Sequence, residues 1–151
     1  MAETKNDGYF EDVEIGAKMV TKGRTITEAD IGNFAALTWD TYPLHTDAEY
    51  AKKTIFGERI AHGALVLSFG LGLIMSTTAD SKVVAFYGMD KLRFTGPTKI
   101  GDTIHVEGEV LDKEDKGSKG GVVTTRYLIK NQRGETVIDT TAKTLIAKRE
   151  G

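Results

Sequence analysis

Asp40 and His45 are the two residues of this chain whose types and spacing suit proton-transfer chemistry. They bracket a segment that contains Pro43, and a proline disfavours helical backbone at the residue before it, Tyr42. We therefore predict an irregular turn between the two. A carboxylate and an imidazole beside one water molecule can take up a proton at one atom and deliver it at another. Either residue taken alone is more typical of a structural position, so the hypothesis rests on the pair.

Helical segments are predicted on both sides of this turn. Thr27 followed three residues later by Asp30 is close to a capping box, and the helix that it opens should end near Thr38. After the turn, Thr46 or Asp47 is expected to cap a short helix that runs through residue 53. The longest helix is predicted from Ala61 to about Thr78. It is apolar nearly all round, which is typical of a buried helix.

The rest of the chain is predicted to form β-strands. They cover residues 18–26, 83–94, 103–111, 122–131 and 135–147. The last three are joined by short polar turns, which favours an antiparallel meander with one apolar face. The long helix is the natural cover for that face. We therefore predict an α+β architecture in which a curved antiparallel sheet wraps one long helix.

Length and composition limit the classes of protein to consider. The 151 residues suit one domain spanning 1–151, with residues 1–8 as a flexible lead-in. The formal net charge of -2 provides no basic field, so no nucleic acid partner is expected. Cysteine is absent, which excludes thiolate chemistry and is consistent with a cytoplasmic location. No apolar run is long enough to cross a bilayer, so no membrane partner is expected either.

Other catalytic arrangements are poorly supported. The three histidines, His45, His62 and His105, show no close spacing of metal ligands, so no metal is expected. A Gly-x-Ser-x-Gly nucleophile motif is absent, and the glycine-rich stretches do not match a phosphate-binding loop.

The segment TWDTYPLH at residues 38–45 resembles the signature of the MaoC-like acyl dehydratases, also called the R-specific enoyl-CoA hydratase family. The pattern of that family is Asp, any residue, Asn, Pro, an aliphatic residue and His. Tyr42 stands here in place of the Asn, and Trp39 stands where Gly is common. The segments YFEDVEIG, RTITEADI, RIAHG and RFTGPTKIGD also look like the family, so the resemblance covers nearly the whole chain.

This resemblance implies a hot-dog fold and a homodimer, or a dimer of dimers, with substrate at the subunit interface. It implies reversible hydration of a 2-enoyl-CoA to an (R)-3-hydroxyacyl-CoA, with coenzyme A as part of the substrate and no other cofactor. Asp40 and His45 fall on the catalytic pair. Gly63 falls on the glycine whose backbone N–H faces the thioester oxygen.

Four further residues are candidates for substrate contact. Leu71 falls where some members of the family place a serine near the acyl group. His62 is either a second polar group in the site or a buried histidine bonded to backbone. Arg93 and Lys99 could meet the phosphates of coenzyme A, or could be solvated surface charges. Leu71, Met75 and nearby phenylalanines are expected to restrict the acyl chain to short or medium length.

Two alternatives stay open at this point. A hot-dog thioesterase would act on the same class of substrate but would not need the Asp–His turn. A non-catalytic subunit that only binds acyl groups would not need the pair at all, and the presence of both Asp40 and His45 argues against it.

Overall fold

The computed structural model describes residues 7–150. It contains six strands: β1 (Lys18–Val20), β2 (Arg24–Thr25), β3 (Val83–Phe94), β4 (Thr103–Asp115), β5 (Gly121–Lys130) and β6 (Thr136–Ile146). Its α-helices are α1 (Glu28–Thr38), α2 (Pro43–Thr46), α3 (Ala48–Ala51) and α4 (Gly63–Thr77). Short 3₁₀ turns cover Phe10–Asp12 and Gly117–Lys119.

The sheet is antiparallel throughout and has the order β1-β4-β5-β6-β3, with β2 also paired to β4. The predicted meander is therefore confirmed for β4, β5 and β6. The structure differs from a simple meander at β3, which lies beside β6 and not beside β4. The connection from β3 to β4 must cross three strand spacings of about 4.8 Å each, and its eight residues, 95–102, are long enough to do so.

Helix α4 packs along the concave side of this sheet, which confirms the hot-dog arrangement. Its residues Leu65, Val66, Leu73 and Ile74 are buried with strand residues that include Ile104 and Ile129, and together they form the main core. Gly70 permits the close approach, because a Cβ at this position would lie 2.3 Å from Cδ1 of Ile129. The expectation that the helix is buried all round is wrong for one subunit. The sheet covers one side only, and residues 64, 68, 72 and 75 are exposed.

Several predicted boundaries differ from the structure. Helix α4 begins at Gly63 rather than at Ala61, and α3 ends at Ala51 rather than at residue 53. The strand expected over residues 18–26 is divided into β1 and β2, because Thr21 turns inward and exchanges two hydrogen bonds with the backbone of Val106, at 2.9 Å each. Strand β4 continues beyond Leu111 to Asp115 through a bulge. The expected flexible lead-in lies partly outside the described residues, and its described end is held by a 2.8 Å bond from Lys82 N–H to the carbonyl of Gly8.

Helix α1 begins as predicted. The Thr27 hydroxyl accepts from the backbone N–H of Asp30 at 3.1 Å, and the Asp30 carboxylate accepts from the backbone N–H of Thr27 at 2.8 Å. This reciprocal cap satisfies two donors that a helix start otherwise leaves without partners. The helix ends at Thr38, so the next residues, 39–42, lead directly into the turn that carries the Asp–His pair.

Candidate active site

The turn between Asp40 and His45 is partly helical, which corrects the expectation of a wholly irregular segment. Pro43 occupies the first position of the one-turn helix α2. A backbone N–H at this position has no acceptor within the helix, so its absence in proline removes no hydrogen bond. His45 therefore lies on α2, whereas Asp40 precedes it. Asp47 then caps α3 by accepting from the backbone N–H of Tyr50 at 3.0 Å, so the second of the two predicted caps is used.

Trp39 has a left-handed backbone conformation at the end of α1, with φ of 63°. It is the one non-glycine residue with positive φ among residues 7–150. A side chain in this conformation costs roughly 1–2 kcal/mol, which explains why glycine suits the position. The reversal places Asp40 immediately after the helix, where its backbone N–H donates to the Thr38 hydroxyl at 3.2 Å.

His45 is bonded to a backbone carbonyl through one of its ring nitrogens. Its Nδ1 lies 2.8 Å from the carbonyl oxygen of Ile60. A carbonyl only accepts, so Nδ1 carries the proton and Nε2 of the neutral ring keeps a lone pair. If His45 takes up a proton, it does so at Nε2.

His62 is buried beside His45 and is also bonded to backbone, as one of the two hypotheses for it predicted. It is 1% exposed, and its Nε2 lies 2.9 Å from the carbonyl oxygen of Asp40. Its Nδ1 is the one buried side-chain nitrogen or oxygen without a hydrogen-bond partner in the described part of the chain. Burial lowers the pKa of His62, and a charge on His45 would lower it further. His62 therefore stays neutral. Its own ring is fixed beside His45 by the hydrogen bond to the backbone carbonyl of Asp40.

Asp40, His45 and His62 each place one potential metal-ligand atom, a carboxylate oxygen or a ring nitrogen, within 4.8 Å of the other two. No other cluster of this kind, with three or more histidine or acidic groups, occurs among residues 7–150. Two of the imidazole nitrogens are already committed to carbonyl oxygens, which leaves one nitrogen on each ring and the Asp40 carboxylate. Such a set could in principle hold a cation, and it also provides an acid and a base within reach of one water molecule.

A largely apolar cleft of about 640 Å³ opens beside His45. Its walls come from the start of α4, from the segment before it and from the connection between β3 and β4. The lining residues include His45, Phe56, Ile60, Gly63, Phe94 and Thr98. Clefts of this size and character typically hold small organic ligands. Asp40 is not part of the wall but lies exposed next to His45.

Gly63 is the first residue of α4 and faces the cleft. At this position its backbone N–H has no acceptor within the helix, and the helix dipole adds a partial positive charge. A Cβ on Gly63 would lie 2.7 Å from Cε1 of Phe94. The absence of a side chain thus lets the Phe94 ring lie against the start of the helix.

The cleft wall formed by residues 95–98 is anchored by Asp102, which is buried. Its carboxylate accepts from the backbone N–H of Lys99 at 2.9 Å, from the Gln132 side chain at 2.8 Å and from Arg133 at 3.2 Å. Burial alone would raise the pKa of Asp102, but these hydrogen bonds outweigh it and hold the pKa below its usual value. This buried, ionised carboxylate fixes the end of the connection from β3 to β4.

The other predicted contact residues are not gathered at the pair. Leu71 is half-buried against the main core and, like Met75, lies outside the lining of the cleft, so neither limits it within one subunit. Arg93 is exposed, and its guanidinium donates to the carbonyl of Leu92 at 2.8 Å. Lys99 adjoins Thr98 of the cleft wall and pairs with Glu58 at 2.6 Å.

Sequence reasoning missed several residues of the site. Phe56, Phe94 and Pro97 form walls of the cleft. No local pattern identifies them, because they meet only when the connection from β3 to β4 lies beside the start of α4. The bond from Ala61 N–H to the Thr98 carbonyl at 2.7 Å joins these two segments.

The chain belongs to the MaoC-like domain family, whose model matches residues 11–132. It is 46% identical over 98 residues to protein MaoC of Klebsiella aerogenes, a match that covers 65% of this chain and 29% of that protein. It is 40% identical over 96 residues to the (R)-specific enoyl-CoA hydratase of Rhodospirillum rubrum, covering 64% of this chain and 65% of that protein. It thus spans less than two thirds of the length of both relatives.

A third relative is matched along most of its length. The chain is 32% identical over 142 residues to the 3-hydroxybutyryl-CoA dehydratase of Methylorubrum extorquens, which covers 94% of this chain and 86% of that protein. Among solved structures, a monoamine oxidase regulatory protein from Archaeoglobus superposes with a TM-score of 0.90 at 48% identity, covering 94% and 95% of the two chains. An R-hydratase from Pseudomonas aeruginosa superposes with a TM-score of 0.76 at 34% identity, covering 95% and 88%.

Proposed function

We propose that this protein is a hydro-lyase that reversibly adds water to the double bond of a 2-enoyl-CoA and forms an (R)-3-hydroxyacyl-CoA. The observation that carries the proposal is the convergence of three groups at one cleft. His45 and Gly63 line it, and the Asp40 carboxylate lies within 4.8 Å of the nearest donor atoms of the two histidines. Names of two relatives, an enoyl-CoA hydratase and a hydroxybutyryl-CoA dehydratase, support the same reaction class.

The proposed chemistry assigns a task to each group. Asp40 and His45 act on one water molecule: one proton leaves the water as its oxygen bonds to C3, and one proton is delivered to C2. Charge that develops on the thioester oxygen is stabilised by the N–H of Gly63 at the start of α4. Because the donor is backbone at a fixed helix end, it needs no rearrangement during the reaction.

We propose that no metal and no separate cofactor take part. The pair Asp40 and His45 supplies the proton donor and the proton acceptor that hydration requires without a Lewis acid. Activity should therefore persist in excess EDTA and should not rise when Zn²⁺ or Mg²⁺ is added. Activity that is lost to the chelator and restored by one metal would overturn this part of the proposal.

A hydration assay with crotonyl-CoA tests the function directly. Loss of the enoyl absorbance without release of free thiol indicates hydration, and release of thiol indicates a thioesterase. The stereochemistry of the 3-hydroxyacyl product then tests the R assignment. A panel of acyl lengths tests the proposed preference for short to medium chains, which Phe56 and Phe94 rather than Leu71 and Met75 would impose within one subunit. A preference for chains of about twelve carbons or longer would contradict it.

The proposed assembly is a homodimer, with a dimer of dimers as the larger alternative. β3 is an edge strand of 12 residues, and Val84, Phe86 and Tyr87 on it are 57%, 53% and 60% exposed. An uncovered edge of this length with apolar side chains is a typical pairing surface. Sedimentation at micromolar concentration should show a dimer or tetramer, and a monomer alone would contradict the proposal.

None of the helices in residues 7–150 combines the length and the hydropathy needed to cross a membrane.

A further inference from the structure

His45 is part of a continuous row of five aromatic rings. Phe34 lies 4.9 Å from His62, His62 lies 4.0 Å from His45, and His45 lies 6.2 Å from Tyr42, all between ring centroids. Tyr50 follows at 6.1 Å from Tyr42. All these separations suit attractive ring–ring contacts. His45 is thus held between a buried histidine on one side and an exposed tyrosine on the other.

We propose that Tyr42 is a positioning residue for His45 and that Tyr50 anchors it, an inference that rests on the function proposed above. The proposal concerns the one position between Asp40 and His45 at which this chain departs from the family pattern given above. The family pattern has an asparagine at position 42, and an asparagine has no ring to place against His45.

The backbone of Tyr42 already connects the two members of the pair. Its N–H donates to the Asp40 carboxylate at 3.3 Å, and its carbonyl accepts from the backbone N–H of His45 at 2.9 Å. Both bonds are made by backbone, so any residue at this position can provide them. The contribution that is specific to tyrosine must therefore come from its side chain.

The ring of Tyr42 contacts His45 edge to face, with the two planes at 64°. A single hydrogen bond from Nδ1 to the Ile60 carbonyl fixes one point of the imidazole but still allows the ring to swing about that bond. Contacts with His62 and Tyr42 restrict this swing. The rotation of the His45 ring sets the direction of its Nε2 lone pair. A small misplacement of a reacting group has a large effect on the rate.

Tyr50 completes the arrangement through a hydroxyl pair. The hydroxyl oxygens of Tyr42 and Tyr50 lie 3.2 Å apart. A tyrosine hydroxyl is protonated at neutral pH and can therefore make this contact, and the hydrogen bond with Tyr42 raises the pKa of Tyr50 further. Both side chains are partly exposed, at 53% and 40%, and without this contact the Tyr42 ring would be free to rotate into solvent.

Three variants test the inference in the hydration assay. Tyr42→Leu and Tyr42→Asn remove the ring and should each lower kcat about tenfold with KM changed less than about twofold, because the ring affects the reacting group rather than binding. Tyr42→Phe keeps the ring but removes the hydroxyl pair, so its kcat should lie between that of Tyr42→Asn and that of the wild type. Leu37→Ala, which removes a side chain 82% exposed on α1, is the matched control and should retain wild-type kinetics.

The hydroxyl pair is tested by a double-mutant cycle. Tyr42→Phe and Tyr50→Phe each remove the same hydrogen bond, so the double variant should lose no more kcat than either single variant. Additive losses would overturn the anchoring role of Tyr50. Losses in KM rather than in kcat would overturn the positioning role of Tyr42.

An NMR readout separates this inference from the proposed function. In ¹⁵N-histidine spectra the wild-type His45 should show a single Nδ1–H tautomer, and Tyr42→Asn should show a mixture of tautomers or a broadened signal. An unchanged spectrum together with unchanged kcat would overturn the inference while leaving the function intact. If the wild type hydrates no enoyl thioester, the proposed function fails, and the spectra still decide whether Tyr42 orients the ring.

Discussion

The imidazole rings of His45 and His62 lie face to face, with centroids 4.0 Å apart and planes inclined by 29°. Each ring donates to a backbone carbonyl, His45 to Ile60 and His62 to Asp40. His62 stays neutral, because its burial and any charge on His45 both lower its pKa. The pair therefore consists of one ring available for proton transfer and one ring that supports it.

Removing either proton-handling group should nearly abolish turnover. Asp40→Asn and His45→Gln keep the approximate size of the side chains but remove the titratable groups. Each should lower kcat by about two orders of magnitude or more, the usual scale for acid–base groups. The double variant should lose much less than the product of the single losses, because both groups act on one water molecule. Circular dichroism should show that all three variants are folded.

A folded Asp40→Asn variant with near wild-type hydration of an enoyl-CoA would show that the proposed mechanism is wrong. Thr41→Ala provides a control within the same turn, since Thr41 uses only its backbone in the hydrogen bonds of this segment.

Gly63 should tolerate no side chain. In Gly63→Ala the new Cβ would meet the Phe94 ring at 2.7 Å, and the ring would have to move within the cleft that it lines. We expect kcat/KM to fall by about tenfold or more, a loss typical of a disturbed oxyanion donor or substrate wall. Steady-state kinetics with crotonyl-CoA measure this effect.

Gly72→Ala is the matched control in the same helix. A Cβ at Gly72 has no neighbour within 4 Å, and alanine is favoured over glycine in a helix by roughly 1 kcal/mol. This variant should keep its activity and unfold at a higher temperature. Equal loss of activity in both variants would assign the effect to the helix as a whole rather than to the contact with Phe94.

His62 should make the fold less stable in mild acid. Its pKa is lowered in the folded state by burial, so below the unfolded value of 6.5 the unfolded chain binds a proton that the folded chain does not. The free energy of unfolding should therefore decrease as the pH falls below about 6.5. His62→Gln keeps a donor for the Asp40 carbonyl but does not titrate, and it should lose less stability over this range.

Urea unfolding at pH 7.5 and pH 5.5 compares the two proteins. Carboxyl groups whose pKa is lowered in the folded state, such as that of Asp102, change their protonation at lower pH. They therefore add little to the difference in unfolding free energy between pH 7.5 and pH 5.5. Parallel losses of stability in wild type and His62→Gln would refute the assignment to His62.

Lys99 should contribute to binding of the coenzyme A portion of the substrate. It follows Thr98 of the cleft wall, and its ammonium is 2.6 Å from a single surface carboxylate, Glu58. Lys99→Ala should raise KM for crotonyl-CoA by about tenfold, the scale of one charge-assisted hydrogen bond to phosphate. KM for the short N-acetylcysteamine thioester, which lacks the phosphates, should stay unchanged.

The ion pair of Lys52 with Glu49 provides the control, because it has similar geometry but no neighbour in the cleft. Lys52→Ala should leave both KM values unaltered. Equal effects of Lys99→Ala on the two thioesters would exclude a phosphate contact.

Local signals in the sequence determined the elements of this protein and the identity of its proposed pair. The Thr27–Asp30 cap, the start of α1 and the bounds of β3 follow from hydrogen bonds and periodicity within a few residues, so one segment is enough to predict them. The resemblance at residues 38–45 identified Asp40 and His45 in the same way.

Only the tertiary structure decided which groups surround that pair. The stacking of His62 on His45, the contact of Phe94 with Gly63 and the place of β3 beside β6 join residues far apart in the chain. Leu71 matched a family position, yet in the structure it packs into the core and not into the cleft. Such contacts depend on sheet order and on the path of residues 95–102, which no local pattern encodes because their energies arise only when distant segments pack together.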